Sequence, residues 1–132
     1  MHRHGLCGFV IDCQDAEIDR AARFWAEALN MTIEPHNIPA TGNYVNLTGR
    51  AGSNAAGLNI EVQKVKHPSR VHLDIESDDI EAEVRRLEQI GAKIVERIDT
   101  WVVMEAPTGH RFCVVRGSYK PMTAEEHGSG SP

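Results

Sequence analysis

Three short stretches carry the side chains best suited to chemistry. In RVHLDIES, His72 and Asp74 alternate with Val71, Leu73 and Ile75; in NIEVQ, Glu61 alternates with Ile60 and Val62; in HRFCVV, Arg111 and Cys113 alternate with Phe112 and Val114. A histidine that titrates near neutrality beside carboxylates suits general acid–base work. A thiol can attack, hold a soft metal, or only pack. An arginine fork suits a substrate carboxylate or phosphate. All of these groups sit at period two, so the element that must position them is a sheet.

The surrounding sequence supplies that sheet. LCGFVIDC (Leu6 to Cys13) reads as a buried strand, and AEIDRAARFWAEALN places Ile18, Ala21, Ala22, Trp25, Ala28 and Leu29 on one helical face with Asp15 at the expected N-cap. MTIEPHN, NYVNLTGR and GLNIEVQKV follow as short strands separated by Pro39, Gly42, Gly49, Gly52 and Gly57. The order then repeats. RVHLDIES is a strand, DDIEAEVRRLEQIG a helix with Asp79 at its start and Gly91 past its end, and AKIVERID, WVVMEAP and HRFCVVRG are three more strands. Such self-similarity defines an α+β fold of two βαβββ modules, 6–66 and 69–117, joined at His67-Pro68-Ser69. The tail 118–132 lacks apolar periodicity and is expected to be loose.

Parity then sorts the strands. Phe9, Ile11 and Cys13, Val71, Leu73 and Ile75, Leu58, Ile60 and Val62, and Phe112 with Val114 are expected to pack against the helices. Their neighbours, Gly8, Val10, Asp12, His72, Asp74, Glu76, Asn59, Glu61, Gln63, Arg111 and Cys113, then share the opposite face, which is too polar to be only core.

Composition excludes several function classes. With 14 basic against 19 acidic residues and no basic cluster, neither a nucleic acid nor an anionic membrane is the expected partner. No run approaches the length of a membrane span, and MHRHG is not followed by the apolar core of a signal peptide. Cys7, Cys13 and Cys113 are odd in number with no CxxC spacing, which points to reduced thiols and the cytoplasm.

FVIDCQDAEIDRAARFWAEALNM, RVHLDIESDDIEAEVRRLEQIGAKI and APTGHRFCVV, in that order and spacing, resemble the vicinal oxygen chelate superfamily in its small glyoxalase-like (glyoxalase/bleomycin resistance/dioxygenase) branch, over roughly Leu6 to Arg116. The resemblance implies a cupped, partly closed mixed sheet with helices on the outer face, a homodimer, and a divalent metal held by one inward residue from the first and last strand of each module. By position these sites fall on Gly8 and His72, each seven residues before an aspartate, and on Glu61 and Cys113, each four residues after a glycine. His72 and Glu61 fit the pattern. Gly8 offers no side chain, and Cys113 stands where metal-binding relatives carry glutamate. A set of His72, Glu61 and Cys113 would suit zinc or a similar soft borderline ion, but loss of the metal is the expected outcome.

The expected function is therefore capture of a small polar or anionic organic molecule, with lyase, isomerase or dioxygenase chemistry of degenerate metal dependence. The alternative is a non-enzymatic, antibiotic-type sequestering protein. In the catalytic reading His72 is acid/base with Glu61 as its partner. Arg111, Asp74, Asn59, Trp101 and Cys113 line the substrate site, Arg111 either as anchor or paired with Asp12 or Asp74. Trp25 is read as core, EAEVRRLEQ as a charged helix face and not a nucleic-acid surface, and the remaining histidines, His2, His4 and His67 among them, as solvated turn or tail residues.

Overall fold

Among the described residues the chain forms two helices and eight strands in the order βαβββ twice, as the repeat requires. The structure is a computed structural model that describes residues 1–34, 43–117 and 119. The loop from Pro39, apart from Asn43, and the tail from Ser118, apart from Tyr119, fall outside the described residues. Two compact units are present, one of Cys7–Asp74 and a second of Met1–Leu6 with the chain from Ile75 onward, so the divisions fall inside strands β1 (His4–Gln14) and β5 (Arg70–Ser77).

In the first unit the strand order is β2 (Met31–Ile33), β3 (Tyr44–Gly49), β4 (Asn59–Val65), β1, then the first residues of β5. β1 and β4 run parallel, while β3 is antiparallel to both β2 and β4. Helix α1 (Ile18–Leu29) crosses over β2, β3 and β4. Its apolar stripe meets one face of the strands: Ile11, Met31, Leu47, Ile60 and Val62 are buried, with Phe9, Cys13, Ala21 and Trp25 packed against them. The expected parity of β1 and β4 is therefore present.

Two local expectations fail for physical reasons. Asp15 is not the N-cap. β1 runs on to Gln14, and Asp15 takes the left-handed turn (φ 50°) with its N–H donating to Val65 O at 2.8 Å, so the helix starts after Glu17 without a side-chain cap. Nor do Val71 and Leu73 pack under a helix. They are 60% and 42% exposed, because α1 covers β2 to β4 and does not extend over β5.

The second unit builds its own core around α2 (Ile80–Gln89), where Val84 and Leu87 meet Val102 and Met104 of β7 (Trp101–Glu105) and Phe112 and Val114 of β8 (Arg111–Arg116). β7 pairs antiparallel with β8 and with β6 (Lys93–Ile98). Asp79 caps α2 as expected, its Oδ1 accepting from the Ala82 N–H at 3.1 Å, and Gly91 follows the helix at φ 112°.

The charged helix α2 contains a fully buried carboxylate. Glu83 accepts from Arg86 Nε and Nη2 at 2.8 and 2.7 Å, and its Oε1 lies 2.8 Å from His2 Nε2. Burial alone would raise its carboxyl pKa, but the hydrogen bonds from Arg86 and His2 outweigh that and hold it below the ordinary value. This clasp, with Arg3 N–H donating to Asp78 Oδ1 at 2.7 Å, is why the first six residues belong to the second unit. His2 is thus a structural partner, not a solvated tail residue.

The helix-side burial can be checked by truncation. Leu47→Ala, at a site with no solvent exposure, is expected to lower unfolding free energy by about 2–5 kcal/mol. Leu73→Ala, on the uncovered strand, is expected to cost less than about 1 kcal/mol. Urea unfolding of both variants makes the comparison, and equal losses would contradict the uncovered placement of β5.

Candidate functional site

Strand register assembles the polar face of the first unit row by row. Across β3, β4 and β1 the rows are Thr48, Asn59, Gly8; then Asn46, Glu61, Val10; then Tyr44, Gln63, Asp12. His72 and Asp74 follow on β5, the next strand. The sequence placed Glu61, His72 and Asp74 on this face, and the structure brings them together around a residue it had not singled out. Asp12 is 2% exposed, near the end of β1 and flanked there by Ile11 and Cys13.

Asp12 Oδ2 lies 2.8 Å from His72 Nδ1. With the carboxylate accepting, Nδ1 is the donor, and Nε2 on the far side of the ring lies 3.7 Å from Asp74 Oδ1. The bond also fixes the plane of the ring, as carboxylates behind functional histidines do. His67 Nε2 and Arg70 Nε approach the same Asp12 oxygen at 3.8 Å each, so His67 is not the solvated turn residue the sequence suggested. Asp12 Oδ1 and Asn46 Oδ1 are buried without a hydrogen-bond partner among the described residues.

The carboxylates around His72 feel one another. Burial raises the Glu61 pKa above its ordinary value, Asp74 and Asp12 add to the rise, and His72 opposes it. Burial likewise raises Asp74, with His72 opposing and Asp12 adding. Burial thus raises the proton affinity of Glu61 on the same face that carries the His72 ring. Neither Asp12 nor Asn46 had been named as a site residue. For Asp12 the signal was a single acid inside LCGFVIDC, which no apolar strand tolerates without a reason.

The other sequence-named residues have different surroundings. Asn59 is exposed at the start of β4. Arg111, Cys113 and Trp101 belong to the second unit. Arg111 Nε donates to Glu105 Oε1 at 3.2 Å across the β7–β8 pair, in place of the expected Asp12 or Asp74. Cys113 is a half-buried free thiol between buried Phe112 and Val114. Trp101 lines an open depression of about 380 Å³ with Asp79, Arg97 and Arg116.

The metal set implied by the fold fails at Gly8. A Cβ there would collide with the main-chain oxygen of Asn59, its register partner on β4, so the strands have closed over the place a ligand side chain would need. Glu61 and His72 keep donor atoms, but the four-position chelate does not fit these residues, and no chemistry is derived through it.

These observations meet an independent likeness. The family model described as a glyoxalase-like domain matches residues 8–115, and the chain belongs to that family, within the vicinal oxygen chelate superfamily. Methylmalonyl-CoA epimerase from Mycobacterium tuberculosis is similar in fold at 17% identity and a TM-score of 0.58, over 87% of this chain and 89% of that one. A single-residue variant of Streptomyces coelicolor methylmalonyl-CoA epimerase, in complex with 2-nitronate-propionyl-CoA, is similar at 11% identity and 0.56, over 86% and 97%. A hypothetical protein, BH1468 from Bacillus halodurans C-125, gives 11% and 0.58, over 91% and 99%. No curated protein matches the sequence.

The raised carboxyls set a pH dependence. A carboxyl whose folded pKa exceeds its unfolded value binds a proton more tightly in the folded state, so ionising it costs stability as pH rises through that interval. Glu61→Gln and Asp74→Asn are therefore expected to raise the melting temperature at pH 7 and to lose that gain below about pH 4, where unfolded carboxyls are themselves protonated. Thermal melts from pH 4 to 8 test this; a gain independent of pH would show that the charges are not in conflict.

Proposed function

We propose that the polar face of the first unit binds a small polar organic molecule and moves a proton on it, in the manner of an isomerase or lyase. The observation that carries this reading is the 2.8 Å hydrogen bond between His72 Nδ1 and Asp12 Oδ2, which orients the ring on the polar face for acid–base work. Glu61, whose proton affinity burial raises, is its partner in moving the proton. The structural neighbours named as epimerases support the choice of proton transfer, because inverting a carbon centre requires a proton to leave and return. Dioxygenase chemistry is not carried forward, since the closure at Gly8 removes the ligand set it would rest on.

In this reading the glyoxalase-like domain spans 6–117 and works in the cytoplasm, where its three cysteines, none of them in a disulfide, stay reduced. No helix among the described residues is long and apolar enough to cross a membrane. A homodimer accounts for exposed Val71 and Leu73, which a second copy would cover. Sedimentation analysis is expected to give a dimer for the wild type and a monomer for Val71→Glu/Leu73→Glu; a wild-type monomer would remove the dimer from the proposal.

The second reading, sequestration without turnover, is favoured by the same closed position at Gly8. Solvent deuterium separates the two. Small carbonyl compounds that shift the His72 ring resonances are expected to exchange the hydrogen beside the carbonyl in heavy water, and His72→Gln is expected to slow this by about 10²–10⁴-fold. Binding at His72 without exchange would establish sequestration, and the absence of any compound that perturbs His72 would sink both readings.

A further inference from the structure

We propose that the group recognised on this face is an organic cation carrying several N–H donors, an alkylammonium or a guanidinium, an inference that rests on the ligand-site reading above. The face has more acceptors than donors. Asp12 uses only one oxygen: His72, His67 and Arg70 all converge on Oδ2, while Oδ1 is buried with no partner among the described residues. Asn46 Oδ1 is buried in the same state, one strand beyond Glu61. Glu61 itself makes no hydrogen bond or ion pair among the described residues, and His72 Nε2 lies 3.7 Å from Asp74, beyond hydrogen-bond distance.

Orphaned buried acceptors cost free energy until a donor reaches them. Water can donate a hydrogen bond but cannot neutralise three carboxylates, and Arg70, the one arginine on this face among the described residues, is spent on Asp12. An anion would meet Glu61 and Asp74 as like charges. A single metal ion is the wrong size, because β3 and β1 flank β4 and lie about 10 Å apart, whereas ligands of one ion gather within bond lengths of about 2–2.6 Å. Acceptors spread over three strands match a ligand whose N–H groups are themselves spread out and positively charged. The ligand character expected from sequence thereby narrows from polar or anionic to polar and cationic.

Four probes with one carbon chain test the charge alone: n-butylammonium, n-butylguanidinium, 1-butanol and butyrate, titrated into the full chain and followed by the His72 ring resonances. The two cations are expected to bind at least about tenfold more tightly than butanol, and butyrate more weakly than butanol. Glu61→Gln and Asp74→Asn are each expected to weaken the cations several-fold, while Glu88→Gln, an exposed acid on α2, leaves them unchanged. Butyrate or butanol equalling the cations would overturn the inference while leaving the site at His72 intact. Cation binding that is indifferent to Glu61→Gln and Asp74→Asn would overturn it as well. A failure of all four probes to move His72 would take the ligand-site reading down with it.

Discussion

A carboxylate that is 2% exposed has to be answered by its neighbours, and much of the first unit is arranged to answer Asp12. It sits in β1 between the parallel β4 and the start of β5, with apolar side chains before and behind it. His72, His67 and Arg70 come from the chain that leaves the first module and enters the second, and all three turn their nitrogens to the same oxygen. The hydrogen bond to His72 joins a buried acid to the neighbouring strand and orients the ring on which the proposed chemistry depends.

The two units treat a buried acid in opposite ways. Glu83 of α2 is fully buried and fully served, with the Arg86 guanidinium and His2 at hydrogen-bond distance, and its carboxyl is held below the ordinary pKa. That arrangement is structural: it fastens the first residues to a helix. Asp12 is served on one oxygen only, and its neighbours Glu61 and Asp74 are pushed up, not down. Full satisfaction accompanies a fastening, and incomplete satisfaction is the feature on which the proposed ligand site rests.

Much of this was legible because alternation has a period of two and the module occurs twice. Phe9, Ile11, Ile60, Val62, Phe112 and Val114 were placed correctly by parity, and Glu61, His72 and Asp74 fell on the face where the structure has them. What alternation cannot convey is coverage. Val71 and Leu73 have the right parity and no helix above them, since the reach of α1 is a tertiary fact. Nor does it convey which acid is buried: Glu83 looks like any charged helix residue until His2, 81 positions away, arrives beside it. Asp15 illustrates local competition, where an aspartate able to cap a helix was used to turn the chain.

The closed seam at Gly8 also bears on what this scaffold can become. A protein that had merely lost a ligand by substitution could regain it by the reverse substitution. Here β1 and β4 have drawn together until the Asn59 oxygen occupies the space of a Cβ, so a side chain at position 8 must first force these paired strands apart. Restoring a ligand at this position would therefore take a shift of the strand pairing as well as a new side chain. Diversification from this chain is left to run through Glu61, His72 and Asp74, whose side chains can change without moving the main chain.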